Sequence, residues 1–442
     1  MNGKKKKFLI SPWGKPDYWK EVHYSFKQKV LQSKTSLYIL QRSLHPDYLI
    51  IIVLDTIGDR RGSYRDIING VREKIRRFCL ENNININTRG IIVVPGVGSY
   101  KEVSFRGKMI DYYYWILFEL ICFFSEEIDE FIKGDINEIE IHLDLTHGIN
   151  YMPTLTYRAL REIACMLAIL FKVSLHIYNS EPYSGAGQVL NIHQTEKILN
   201  VKPEFPHEYI EANDPLKLLK ICNDDLHCLD ETEKSRLKRE IRELSCQLSR
   251  ESVNTFISSL YNGLPLLIFR SYLAPDELLD CLKKAICVYN KEIKIRKNGD
   301  YLEVIRPLAL TFTFSVLAKT FFLSALLELL GIHYQEEVSL NEMKELKEKI
   351  YKKFKLLNIL IGNELHFLEE KLGEKINHSW EKIIYFEGRS QTSPDFRNFM
   401  SHAGVEKNIT LIKKKGNEIF LKYEEDRLKN INKFAQKAIR LQ

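Results

Sequence analysis

Along residues 1–198, short apolar runs alternate with stretches of helical period. Phe8-Leu9-Ile10 reads as a short strand ending at Ser11-Pro12-Trp13-Gly14. Tyr48–Leu54 (YLIIIVL) is an unbroken, β-branched apolar run, the pattern of a strand covered on both faces. Helical period follows from Asp66 to Leu80. Ile91–Val94 is the next strand, then a helix over Met109–Ile132, a strand over Ile139–Leu145 and a helix from Pro153 to Phe171. Val173–Tyr178 and Val189–His193 read as closing strands. This order predicts an α/β domain, Rossmann-like, with a parallel sheet.

The pattern changes after residue 198. Pro203, Pro206 and Pro215 mark a linker, and polar helices are expected from there to Leu260. The charge-dense stretch Asp230–Arg250 fits a solvated linker helix or part of a helix-turn-helix. Residues 199–255 are therefore assigned as a helical linker and 256–442 as an all-α domain with hairpin insertions. One hairpin spans Glu292–Ile305 and turns at Asn298-Gly299; the other spans Ile409–Tyr423 and turns at Gly416-Asn417. The longest apolar stretch, Leu308–Ile332, is interrupted by Lys319 and Glu328, so a buried helix is expected rather than a membrane span.

Composition sharpens this picture only in part. With 45% hydrophobic and 28% charged residues, the 442-residue chain reads as globular. A net charge of +7 permits an acidic partner such as RNA without demanding one. Eight cysteines include no C-x-x-C pair, and the Cys222–Cys228 and Cys281–Cys287 spacings are too wide for a zinc knuckle. They fit reduced core residues of a cytoplasmic protein. The basic start, Met1–Lys7, precedes too short an apolar run for a signal peptide.

Four strands end in small or polar residues: Ser11–Gly14, Asp55–Gly58, Pro95–Ser99 and Asp144–Asn150. In open α/β sheets the ligand crevice lies at such carboxyl ends, where glycines let backbone N–H groups approach a phosphate. Each loop taken singly also fits an ordinary turn. Neither a Walker loop nor G-x-G-x-x-G is present, so the ATPase and dehydrogenase readings lack their signatures.

The chemistry-bearing segment is Ser393–Gly404 (SPDFRNFMSHAG). Ser393, Pro394 and Asp395 form a helix start, and Gly404 is a stop. Phe396, Phe399, Met400 and Ala403 make one apolar stripe, leaving Arg397, Asn398, Ser401 and His402 on the other side. The same arrangement fits surface residues of an amphipathic helix. A histidine that moves protons near neutral pH beside an arginine fork suits RNA cleavage by the substrate's own 2′-hydroxyl. That reaction needs no metal.

Arg397-Asn398-x-x-x-His402 matches the R-x(4–6)-H motif of the CARF–HEPN ribonucleases of type III CRISPR systems, and the chain resembles that family over most of its length. Asp144–Asn150 is similar to the ligand motif at a CARF strand end, and Ser11–Gly14 to its first-strand loop. The match departs at Asn150, where many relatives carry a basic residue. The resemblance implies CARF domains that pair about a two-fold axis and bind a cyclic oligoadenylate, cyclic tetra-adenylate in relatives of this layout. It also implies paired HEPN domains, hence a homodimer or higher oligomer acting on single-stranded RNA. In that reading Arg397 stabilises charge on the phosphate, His402 is general base or acid, and Asn398 orients the phosphate or His402. Ser11, Trp13, Gly14, Gly96, Gly98, Ser99, Thr146, His147, Gly148 and Asn150 become ligand candidates. The alternative is a ligand-sensing, DNA-binding regulator with a helix-turn-helix near residues 215–260.

Overall fold

The computed structural model describes residues 4–58, 62–100, 103–185, 187–211, 216–222, 229–244, 248–298, 301–388, 390 and 392–441. The chain forms two compact units. One is Met1–Lys202 with Leu218–Leu244 and Lys283–Ser315; the other is Pro203–Lys217 with Ser245–Leu282 and Val316–Gln442.

The first unit opens with strand β1 (Lys4–Trp13), hairpin strands β2 (Val22–Phe26) and β3 (Lys29–Ser33), and helix α1 (Ser36–Leu44). There follow β4 (Tyr48–Leu54), α2 (Tyr64–Glu81), β5 (Ile91–Val94), the short strands β6 (Gly98–Tyr100) and β7 (Val103–Arg106), and α3 (Asp111–Lys133). Strand β8 (Ile136–Asp144), α4 (Met152–Leu167), β9 (Lys172–Ser180) and β10 (Val189–Ile198) complete the run. The main sheet has the order β3-β2-β10-β9-β8-β1-β4-β5. It is parallel from β9 through β5, while β10 lies antiparallel on β9. This is a Rossmann-like α/β fold with an antiparallel edge. Because β4 and β5 lie on one side of β1 and β8 and β9 on the other, the strand order reverses between β1 and β8.

Local chemistry accounts for the elements. Strand β4 is buried from Leu49 to Leu54, as its apolar run requires. A Ser63–Asp66 capping box starts α2, which buries Ile67, Val71, Ile75 and Cys79 at four-residue intervals. Strand β1 runs well beyond the expected Phe8–Ile10. Its lysines are compatible with pairing because carboxylates meet them: Lys5 pairs with Glu140 at 3.0 Å and Lys6 with Asp47 at 3.1 Å.

Beyond residue 202 the sequence divisions at 198 and 255 do not follow the compact units. Strand β11 (Leu219–Ile221) and α5 (Glu231–Glu243) belong to the α/β unit; α6 (Arg250–Tyr261) and α7 (Pro265–Arg270) belong to the other. Thus α5 and α6 do not form one helix-turn-helix module. Instead α5 ties to the α/β unit through Arg236–Glu292 and Lys294–Glu233 ion pairs.

Helix α8 (Pro275–Lys291) leads to β12 (Lys294–Asn298), β13 (Tyr301–Ile305) and β14 (Leu308–Leu310). This hairpin, expected as an insertion in the helical domain, belongs to the α/β unit: β13 pairs in parallel with β7, and β14 pairs with β11. Leu302 and Val304 pack there with Ile67, Val103 and Phe105. The expected turn glycine, Gly299, lies outside the described residues. Just after the hairpin, fully buried Arg306 pairs with buried Asp55 and donates to the Gly96 carbonyl at 2.8 Å.

The apolar stretch forms β14 and then helix α9 (Phe312–Leu329). Alone among the described helices, α9 is long and apolar enough to cross a membrane. Phe314, Leu317 and Phe322 on it are fully buried, and the Lys319 ammonium is paired with Glu208.

The second unit continues with β15 (Val338–Ser339), α10 (Leu340–Leu346), α11 (Lys355–His366), β16 (Glu381–Lys382) and α12 (Ile383–Phe386). It ends with α13 (Phe396–Ser401), β17 (Thr410–Lys415), β18 (Glu418–Tyr423) and α14 (Leu428–Arg440). Its small sheet has the order β15-β18-β17-β16. The β17–β18 hairpin turns at Gly416-Asn417 as expected, with Gly416 at φ +63°.

Candidate functional sites

In the helical unit the short helix α13 carries the Arg–His motif. Its cap is Asp395, whose carboxylate accepts from Asn398 N–H at 3.0 Å; Ser393, expected as the cap, lies two residues outside. Phe399 and Ala403 are buried, and Phe396 and Met400 are half-buried, so the apolar stripe faces inward. Phe434 of α14 packs against the Phe396 and Phe399 rings at 6.0 and 5.6 Å between centroids. After His402 the chain reverses through Ala403 (φ +48°) and Gly404 (φ +84°). A Cβ at Gly404 would crowd Leu264 and Tyr423 at 3.2 Å, so glycine is needed there on both counts.

This geometry presents His402 to a carboxylate that the sequence reading missed. His402 Nδ1 lies 2.9 Å from Glu364 Oε2, on α11, and the Glu364 side chain is almost fully buried. A carboxylate only accepts, so Nδ1 carries the proton and Nε2 is left with a free lone pair. A cavity of about 560 Å³ adjoins the ring, lined by Asn398, His402, Thr392, Lys407 and Asn408 among others. Its wall is fixed by buried Glu406, which accepts from both nitrogens of Asn408; Asn408 in turn accepts from Thr392 N–H at 2.9 Å. The Lys407 charge is answered by Glu387. Asn398 and His402 are thus brought together. Arg397 is exposed and is not among the residues lining this cavity. Glu364 did leave a signal: it occupies an apolar position, spaced with buried Ile361, Leu365 and Leu368.

In the α/β unit the loops after β1 and β8 meet at the sheet's reversal point. Gly14 N–H donates to His147 O at 2.8 Å, and a Cβ at Gly14 would strike Ile149 at 2.9 Å. Ser11 and Trp13 are fully buried beneath the crevice: Trp13 Nε1–H donates to Ser11 Oγ, which donates to Asp144 O, both at 3.0 Å. Buried Asp144 accepts from Ser36 Oγ at 2.7 Å and Thr146 N–H at 3.1 Å, and burial raises its carboxyl above the ordinary range.

His147 stacks on Trp19 with centroids 3.9 Å apart, and its Nε2 accepts from Ser36 N–H at 3.4 Å. Burial pushes its pKa down to about 3, leaving a neutral ring. Thr146 and His147 line a second cavity of about 560 Å³, together with Trp19, Lys20, Lys34 and Tyr183. Those last four come from the β1–β3 excursion and the β9–β10 loop, stretches without a strand-end signature.

The remaining candidates lie elsewhere. Gly96 is buried, with its N–H donating to Asp55 Oδ1 at 2.9 Å, and a Cβ there would strike Thr56 at 2.6 Å. Gly98 and exposed Ser99 lie in β6, and the Ser99 hydroxyl meets that of Ser104 at 3.1 Å. Gly148 sits tight against Pro153, and Asn150 is exposed in the left-handed region at φ +51°. Among the described residues, no three His, Cys, Asp or Glu side chains converge as metal ligands would.

A Rossmann-like unit with a crevice at its sheet reversal, joined to a helical unit bearing R-x(4)-H on a capped helix, defines the class of CRISPR-associated CARF–HEPN endoribonucleases. Residues 8–182 match the CARF domain of the CRISPR system endoribonuclease Csx1, and residues 338–425 match its HEPN domain. The CRISPR system endoribonuclease Csx1 of Methanocaldococcus jannaschii is 34% identical over 429 residues, spanning 92% of this chain and 86% of that protein. The chain belongs to the Csx1 family.

Proposed function

We propose that this chain cuts single-stranded RNA without a metal ion, by attack of the 2′-hydroxyl that leaves a 2′,3′-cyclic phosphate. We propose further that a cyclic oligoadenylate, cyclic tetra-adenylate in particular, switches the activity on from the α/β unit, in the cytoplasm. The observation that carries the reading is His402, held by buried Glu364 with Nε2 free, on the helix that bears Arg397 and Asn398. Nε2 takes the 2′-hydroxyl proton, Glu364 steadies the imidazolium that results, and the Arg397 fork meets charge developing on the phosphate. One chain offers this chemistry a single imidazole, whereas the reaction uses both a base and an acid. A homodimer that pairs two such helices supplies the second and brings exposed Arg397 into a shared site.

The sensor reading rests on the cavity beside His147. Trp19 offers a ring face to a base, Lys20 and Lys34 offer charge to phosphate, and the Thr146 hydroxyl offers a donor. A cavity of about 560 Å³ suits part of a cyclic tetranucleotide, the rest falling to a second copy across a two-fold axis.

The test is cleavage of a fluorescent single-stranded RNA in chelator, with and without cyclic tetra-adenylate, by the parent protein and His402→Ala. Ligand-stimulated cutting that the substitution abolishes, with cyclic phosphate at the product ends, is expected. Cutting that survives His402→Ala removes the assigned site, and cutting that stops in chelator removes the metal-free mechanism.

A further inference from the structure

Helix α14 buries Ile431, Ala435, Ala438 and Ile439 and packs on α6, where Ser258 Oγ donates to Ala435 O at 2.5 Å. Its outer face carries Lys429, Lys433, Lys437 and Arg440, all exposed, and Leu428–Arg440 contains no acidic residue. Like charges four apart on a helix repel, and solvated helices ordinarily relieve this with interspersed carboxylates. Here the row is left bare. Among the described residues Lys429, Lys433 and Lys437 make no ion pair; Arg440 alone reaches a carboxylate, Glu211, at 3.5 Å.

The row also leads somewhere. Phe434 packs beneath the two phenylalanines of α13, and Lys437 Nζ lies 4.4 Å from the Phe396 ring centroid, one residue before Arg397. Lysines four apart on a helix advance ~6 Å along its axis, comparable with the separation of successive phosphates on an extended strand. A polyanion lying along α14 therefore meets one cation per phosphate and arrives at the Arg–His helix. Such contacts bind without reading sequence and act on affinity rather than on chemistry.

We propose that Lys429, Lys433 and Lys437 form a track for the phosphate backbone of single-stranded RNA that ends at Phe396, the residue before Arg397. The proposal rests on the endoribonuclease reading and adds a surface to it. The test measures anisotropy of a labelled single-stranded RNA of about 30 nucleotides bound to His402→Ala, with and without Lys429→Gln and Lys433→Gln, from about 50 to 300 mM salt. Cleavage kinetics of the same lysine substitutions in the otherwise unaltered chain accompany it. Each lost contact to a single strand flattens the salt dependence of log K by ~0.7, so the double substitution is expected to lower the slope by about 1.4. KM should rise severalfold with kcat retained, and Lys→Arg at both positions should restore it. An unchanged slope and KM overturn the track while leaving the nuclease reading intact. A fall in kcat alone also overturns it. Lysine-dependent RNA binding by a chain that cuts no RNA supports the track and removes the nuclease.

Discussion

Replacing Glu364 by Gln removes one charge and almost no volume. The Glu364 carboxylate lies 2.9 Å from His402 Nδ1 and is 9% exposed. A glutamine oxygen still accepts from Nδ1–H, so the ring keeps its tautomer and its aim. In the proposed mechanism, what disappears is the countercharge for the imidazolium formed when Nε2 takes a proton. A hydrogen bond to a charged group is worth ~1.5–3 kcal/mol and a neutral one ~0.5–1.5. The difference, about 1–2 kcal/mol, corresponds to a roughly 5–30-fold loss of rate. Among the described residues Glu364 Oε1 is buried without a hydrogen-bond partner, so the new amide also lowers stability, by about 1 kcal/mol. Single-turnover cleavage of saturating RNA, well below the unfolding temperature, reads the effect directly. The expected result is a lower kcat with little change in KM, and a larger loss for Glu364→Ala, which also frees the ring to turn. Both variants cutting at the parent rate would show that His402 works without its carboxylate.

Three further expectations follow from the same contacts. Arg397→Lys keeps the charge but loses the planar fork, and kcat should fall by about 100-fold or more with the fold intact; a milder loss would make Arg397 a simple counter-ion. Asp55→Asn strips buried Arg306 of its partner and should cost ~3–5 kcal/mol, read as a fall in denaturant midpoint. Burial raises the Asp111 carboxyl to about 7, against hydrogen bonds from Tyr289 and Leu310 N–H. The unfolded value is ~3.9, so between there and about 7 the native state binds more protons, and the stability Asp111 contributes falls as pH rises. Asp111→Asn should therefore gain on the parent from pH ~4 to ~8 in thermal melts; parallel curves would refute this.

The sequence was most legible where a signal is local. The stripe of Phe396, Phe399, Met400 and Ala403 faces inward as its spacing requires, and the YLIIIVL run is a strand to the residue. Chain reversal after the helix was also readable from Gly404. Non-local pairing was not. The hairpin Lys294–Ile305 carries an ordinary hairpin pattern, and nothing in it names β7, nearly two hundred residues earlier, as its neighbour. Strand-end composition named Thr146 and His147 in the cavity wall but not the rest of it. Ser11 and Trp13 are spent on holding the loops from below, while Trp19, Lys20 and Lys34 reach the cavity from a hairpin excursion of unremarkable sequence. Glu364 was overlooked for a different reason: a lone acid in an apolar stripe reads as noise until its partner, 38 residues on, is known.

Burial of Asp55 by Arg306 joins residues 251 apart in the chain. On a translating ribosome, at ~5–20 residues per second, the aspartate waits about 13–50 s before its arginine exists. Through that interval β7 lacks its later partner β13, and the carboxylate beneath the Gly96 loop lacks the cation that neutralises it. The domain that emerges first is thus among the last to be finished. A gene fragment ending near residue 202 should yield an insoluble or chaperone-bound product, whereas one reaching residue 315 carries every segment of that unit.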